Sequence, residues 1–167
     1  MKKMTENALK DAFAGESMAH MKYLIFGDVA EKEGYPNLAR LWRAIAYAEQ
    51  VHATNHARNL GYIKTSVDNL QTGIDGESFE VDEMYPAYDA ISKFQNEKGA
   101  VKSIHYAIEA EKIHAQLYTD AKKEINKTKD INISDVYICP VCGFTCIGDP
   151  PDKCPVCNVS KDLFIKF

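Results

Sequence analysis

Cysteine is missing from the first 138 residues, and all five cysteines of the chain crowd between Cys139 and Cys157. Five cannot pair off completely, so four of them are better explained by a metal than by disulfides. A basic surplus is missing too: 24 acids face 20 bases, a net charge of −4. The last 32 residues balance, with three Asp against three Lys, so the whole acidic excess lies in the first 135. That leaves no basic face of the kind nucleic acid requires. No run approaches the roughly 18 consecutive apolar residues of a membrane span. The N-terminal MKKMTENALK lacks both the apolar stretch and the small-residue cleavage site of a secretory signal. The expectation is a cytoplasmic protein with no nucleic-acid or membrane partner. At 167 residues, 46% of them hydrophobic, the chain can build one ordinary domain and a small appendage.

Apolar periodicity predicts four long helices. The first covers residues 5 to 33, with Leu9, Phe13, Glu16, His20 and Tyr23/Leu24 on one stripe. Gly34 stops it, and Pro36 opens the second, where a missing N–H is harmless. That helix carries Leu38, Leu41/Trp42, Ile45, Glu49 and His52 and ends near Gly61. Residues 62 to 76 are ambiguous: Thr65 or Ser66 could cap a short helix, but Gly73 and Gly76 weaken it. A third long helix presents Glu80, Glu83, Ala87, Ile91 and Phe94, with Pro86 expected to kink it. The fourth, from about 100 to 127, presents Val101, Ile104, Ile108, Glu111, His114 and Tyr118. A polar stretch from Asn126 to Asp135 reads as a linker, giving domains at 1–134 and 135–167.

The chemistry sits on the stripes. Glu49-x-x-His52 recurs 62 positions later as Glu111-x-x-His114, and Glu80 lies 64 after Glu16. A step of three brings carboxylate and imidazole onto one helix face, and an ionised carboxylate on a core stripe is costly unless paired or bound to a cation. One such pair arises easily by chance; two in register, with a glutamate on each remaining helix, do not. The pattern matches the ligand plan of ferritin-like di-iron carboxylate proteins, a Glu from each of two helices and Glu-x-x-His from the other two. Two ferrous ions carry four positive charges, which four or five carboxylates roughly neutralise, and imidazole is a neutral ligand that suits iron. Glu80 and Glu83 give one carboxylate beyond the minimal set, so one could detach as a histidine takes its place. His20 and His56 lie a turn from Glu16 and His52 and read as outer partners, whereas His105 and Glu109 are off the stripe. Tyr23, two turns beyond Glu16, is either core or a hydrogen-bonding partner for a ligand carboxylate.

Cys139-Pro-Val-Cys142 and Cys154-Pro-Val-Cys157, eleven residues apart, form two knuckles that can place four thiolates around one ion. Spacing alone admits zinc, as in a structural zinc ribbon, or iron. Cys146 lies outside both knuckles and reads as a small buried or free residue.

The segments FAGESMAHMKY, AIAYAEQVHA, GESFEVDEMYPAY, IEAEKIHA and YICPVCG…CPVC, in this order and over nearly the whole chain, resemble the rubrerythrin family. The resemblance implies a mainly α fold: a ferritin-like four-helix bundle followed by a small rubredoxin-like four-cysteine domain. It implies two irons held by Glu16, Glu49, His52, Glu80, Glu83, Glu111 and His114, and a third by Cys139, Cys142, Cys154 and Cys157. His114 would stay on its iron while His52 binds mainly in the reduced state, and Tyr23 or a carboxylate would relay protons. The implied activity is a peroxidase reducing hydrogen peroxide to water. Its electrons would come from a rubredoxin or NAD(P)H-dependent reductase through the cysteine iron, in a homodimer where the cysteine domain of one subunit serves the di-iron site of another. The alternative is a ferritin-like iron oxidase or an oxygen-scavenging, iron-storage protein, which has no need of an attached electron module. A metal-binding zinc ribbon without catalysis is the other rival.

Overall fold

Small side chains line the contact between the first two helices. In the computed structural model, which describes every residue except 128 and 129, α1 (Lys3–Lys32) and α2 (Pro36–Leu60) pack as an antiparallel hairpin. The line buried between them is Gly27 and Ala30 from α1 and Ala39, Ala46, Ala53 and Ala57 from α2. Ala39, Ala46 and Ala53 recur every seven residues, two helical turns, so their methyls stack along one seam. Ala39 and Ala46 are both 0% exposed. Leu38, Leu41 and Ile45, expected on the core stripe, stay partly exposed beside the seam. Helices separated only by methyl groups approach too closely for leucine between them. Tyr23, Phe26 and Trp42 close one end of the hairpin as an aromatic cluster, with Tyr23 5.1 Å from Trp42 between ring centroids.

This hairpin is one of two units of the chain, Met1–Lys64; the other is Thr65–Phe167. The second begins where the Thr65 hydroxyl accepts a hydrogen bond from the Asp68 N–H at 3.2 Å and caps α3 (Ser66–Phe79). The stretch that looked weakest in sequence is therefore helical. It runs through a π-helical turn, Glu80–Met84, directly into α4 (Tyr85–Phe94). The Tyr85 N–H reaches back five residues to the Glu80 carbonyl, a wider turn than the α-helical four. Pro86 follows at once. The wide turn absorbs both its missing N–H and the clash its ring would make with the preceding turn. Asn96, left-handed at φ 60°, turns the chain into α5 (Lys98–Ile125). Glycine at position 73 lets α3 lie close to α5, since a Cβ there would be a tight 3.1 Å from the Tyr118 ring. Residues 128 and 129 of the expected linker lie outside the described residues.

The C-terminal segment is a three-stranded antiparallel sheet of β1 (Val136–Ile138), β2 (Thr145–Ile147) and β3 (Ile165–Lys166), ordered β2-β1-β3. Tyr137 is registered between Cys146 and Lys166. Its interior is made of thiols: Cys139, Cys142 and Cys154 are buried, with Phe144, Val156, Phe164 and Tyr106 of α5 packed on them. No described helix is long and apolar enough to cross a membrane.

Overfilling the alanine seam is the direct test of this packing. Ala46→Leu is expected to cost about 1–3 kcal/mol in urea denaturation, the usual penalty of overpacking. Ala44→Leu, on the exposed side of the same helix, should stay within about 0.5 kcal/mol of the parent.

Candidate metal centres

Each unit gathers one Glu-x-x-His pair with a carboxylate from a neighbouring helix. In the first, α1 supplies Glu16 and α2 supplies Glu49 and His52, and one ligand atom of each lies within 4.8 Å of the others. The His52 Nδ1 is 2.9 Å from the Glu49 Oε2 and 3.8 Å from the Glu16 Oε1. In the second unit α3 supplies Glu77 and α5 supplies Glu111 and His114, under the same 4.8 Å limit. Here the His114 Nδ1 is 2.6 Å from the Glu111 Oε2. Oxygen and imidazole donors in such groups fit a divalent first-row ion, iron among them. Two ligands bound to one ion at about 2.1 Å and at right angles lie about 3 Å apart.

Glu77 was not among the residues picked out from sequence. Glu77, Glu80 and Glu83 are spaced by three, and the stripe was read through the last two. The structure groups Glu77 with Glu111 and His114, and neither Glu80, half-buried, nor Glu83, exposed, is in that group. A π-helical turn starts at Glu80, so the step from Glu80 to Glu83 follows a wider turn than the step from Glu77 to Glu80. The repeat held the missing signal. Glu77 lies 61 residues after Glu16, close to the 62 between Glu49 and Glu111, whereas Glu80 lies 64 after Glu16.

The electrostatics mark the same place. Partial burial, a hydrogen bond with Glu111 and the charges of Glu111 and Glu80 push the Glu77 carboxyl from 4.5 up to about 7. Burial and the Glu111 charge raise Glu80 as well. Tyr85, also missed in sequence, is raised by burial and by the charges of Glu80, Glu111 and Glu77. Like charges gathered at a half-buried site resist ionisation until a cation joins them. The remaining candidates stand elsewhere. His20 Nδ1 is 2.7 Å from the Ala46 carbonyl oxygen, joining α1 to α2; Tyr23 belongs to the aromatic cluster; and His105 is exposed beside Tyr106.

The four-cysteine site is built by two matching knuckles. The Cys139 N–H donates to the Phe144 carbonyl and the Gly143 N–H to the Cys139 carbonyl, and Cys154, Val159 and Asn158 repeat the arrangement. Each knuckle needs a left-handed residue just after its second cysteine, and Gly143 at φ 81° and Asn158 at φ 64° supply it. The Cys139 and Cys157 sulfurs are 3.4 Å apart and those of Cys142 and Cys154 are 3.5 Å apart. Four sulfurs at about 2.3 Å from one ion form a tetrahedron with edges of about 3.8 Å, so the set fits a thiolate-bound ion with little movement. Burial opposes ionisation of Cys154, but the N–H groups of Cys157 and Val156 outweigh it and bring that thiol down to about 7. Burial drives Cys142 well upward. Cys146 pairs on β2 with Tyr137 and stands outside the four.

This module packs on α5. A Cβ on Gly143 would meet the Ala110 methyl at 3.5 Å, Tyr106 lies against the buried cysteines, and the Thr145 hydroxyl is 2.8 Å from the His114 Nε2. Tyr106, Ala110 and His114 fall every fourth residue on one face.

Comparison with known proteins agrees with this division of chemistry. The family model described as Rubrerythrin matches residues 7–122, and one described as Rubrerythrin, rubredoxin-like domain matches residues 137–165. Rubrerythrin-2 of Clostridium acetobutylicum is 48% identical, over 98% of this chain and 97% of its own length. Nigerythrin of Nitratidesulfovibrio vulgaris is 37% identical, over 95% of this chain and 84% of its own. A solved structure of fully reduced, all-ferrous nigerythrin superposes with a TM-score of 0.58 at 31% identity, covering 98% of this chain and 86% of that one.

The raised Glu77 carboxyl makes a pH prediction. Between about pH 4.5 and 7 the folded chain holds a proton that the unfolded chain has released, so stability falls as pH rises through that window. Thermal melting of the metal-free protein should show this decline, and Glu77→Gln should flatten it. An unchanged slope in Glu77→Gln would assign the proton to another group.

Proposed function

Because the chain belongs to the rubrerythrin family, we propose that it is a peroxidase that reduces hydrogen peroxide to water. Its cofactors are a di-iron site on Glu/His donors and one iron on the four cysteines. The observation that carries the reading is the seat of the cysteine module on α5, the helix of Glu111 and His114, with Thr145 hydrogen-bonded to His114. A protein that only stores iron gains nothing from a thiolate module packed against its carboxylate donors.

The overall step is H2O2 + 2 e⁻ + 2 H⁺ → 2 H2O. When bound, the iron pair supplies the two electrons and Lewis-acid help in breaking the O–O bond. The protein's own part is charge and protons. Glu16, Glu49, His52, Glu80, Glu83, Glu111 and His114 form the proposed ligand set, with Glu77, beside Glu111 and His114, as a further candidate. Before a metal binds, Glu77 holds a proton up to about pH 7, which it would release as a cation joins the carboxylates. Tyr85, whose phenol burial and then the nearby carboxylates keep protonated, is a proton donor, and Tyr23 is retained as a proton-relay residue.

Cys139, Cys142, Cys154 and Cys157 would hold the iron that, when bound, would accept one electron at a time from an external rubredoxin or NAD(P)H-dependent reductase. The protein works in the cytoplasm as a homodimer, and Met18, Met21, Ile25, Ile45 and Val51, all exposed on α1 and α2, provide apolar area for association.

Stopped-flow mixing of the fully reduced, iron-loaded protein with peroxide and, separately, with oxygen tests the proposal. Faster oxidation by peroxide is expected; faster oxidation by oxygen would move the protein to the oxidase or scavenging class. Cys142→Ser should complete one turnover from the pre-reduced state and then stall with an external reductant. Failure of that first turnover would show that the two centres are not separable.

A further inference from the structure

We propose that Thr145 is a positioning residue that joins the two metal-binding sites of Thr65–Phe167, fixing which nitrogen of His114 is free for metal. The inference rests on the iron-binding reading above, not on the peroxidase reaction. Thr145 is buried, 6% exposed, on the edge of a three-residue strand, and a threonine hydroxyl there must have both its donor and its acceptor roles accounted for. Its one proton is committed: Oγ1 donates to the Gly143 carbonyl at 3.0 Å. The 2.8 Å contact with the His114 Nε2 therefore has Oγ1 as acceptor and Nε2–H as donor. A neutral imidazole with its proton on Nε2 has its lone pair on Nδ1, and Nδ1 is the atom that faces the Glu111 Oε2 at 2.6 Å.

Two acceptors that close need a proton or a metal ion between them, so the threonine leaves the His114–Glu111 pair ready to chelate a cation. The bridge is short in covalent terms as well. Cys142 is peptide-bonded to Gly143, whose carbonyl holds the Thr145 hydroxyl, which holds His114. One hydroxyl thus connects a thiolate ligand to an imidazole ligand, and the small pair Gly143 and Ala110 lets the two elements come close enough for it. Partners of this type, holding the far nitrogen of a ligating histidine, typically contribute 10- to 100-fold to metal affinity.

The experiment compares the parent with Thr145→Val, which keeps the shape without the hydroxyl, and Thr145→Ser, which keeps the hydroxyl. Zinc serves as a diamagnetic probe for both sites in the full chain. In 15N-histidine NMR the zinc-loaded parent should show a slowly exchanging Nε2–H for His114, assigned by its loss in His114→Gln. Thr145→Val should lose that slow exchange, and its zinc affinity at the carboxylate site should fall about 10- to 100-fold with the cysteine-site affinity unchanged. Thr145→Ser should match the parent in both. The proposal is overturned if Thr145→Val keeps the protected proton and parental affinity. It is overturned equally if Thr145→Ser behaves like the valine variant, or if Thr145→Val weakens both sites together, since either result makes the contact one of packing. None of these readouts involves peroxide, so failure of the peroxidase reading would leave them unchanged.

Discussion

Carboxylates drawn together on a half-buried helix face repel one another and resist leaving water, and much of this protein exists to hold that unfavourable arrangement. Glu77, Glu80 and Glu111 show the cost directly: burial and mutual charge raise Glu77 and Glu80, with Glu77 reaching about 7. Isolated from a cation, such a group is a liability of the kind folding usually avoids. With a divalent ion among them the same charges become the attraction that fixes the site. Of the elements that carry them, α3, the π turn and α4 run on as one continuous helical segment.

Close approach is the second requirement, and small residues provide it in both units. The seam of Ala39, Ala46 and Ala53 lets α1 and α2 place Glu16 beside Glu49 and His52. Gly73 against Tyr118 does the same for α3 and α5, which carry Glu77 and Glu111. Ala110 then admits the cysteine module at Gly143, one turn from His114. The module rests on α5 of its own chain, so its thiolates pack near the Glu111–His114 pair.

What could be read from sequence followed the strength of the local signal. The paired Glu-x-x-His motifs and the two C-x-x-C knuckles carry their chemistry within a single helical turn or knuckle, and the structure gathers each of them. Thr65, one of two candidate caps, is the residue that starts α3. The reading lost its way where local rules were overridden. Gly73 and Gly76 argued against a helix that packing on α5 sustains. Pro86 announced a kink, and the chain answered with a wide turn at Glu80–Met84. The buried line in the first hairpin is alanine, which hydrophobic periodicity weights less than the flanking Leu38 and Ile45. Thr145 carried no sequence signal, since its partner is 31 residues away.

The central claim is that one chain holds two chemically distinct iron centres, one of oxygen and imidazole donors and one of thiolates. Mössbauer spectroscopy of protein grown on 57Fe tests it most directly, because the two donor sets give different isomer shifts. The account predicts iron divided two to one between the Glu/His environment and a tetrahedral thiolate environment. A spectrum with thiolate-bound iron alone, under conditions of full iron loading, would contradict it.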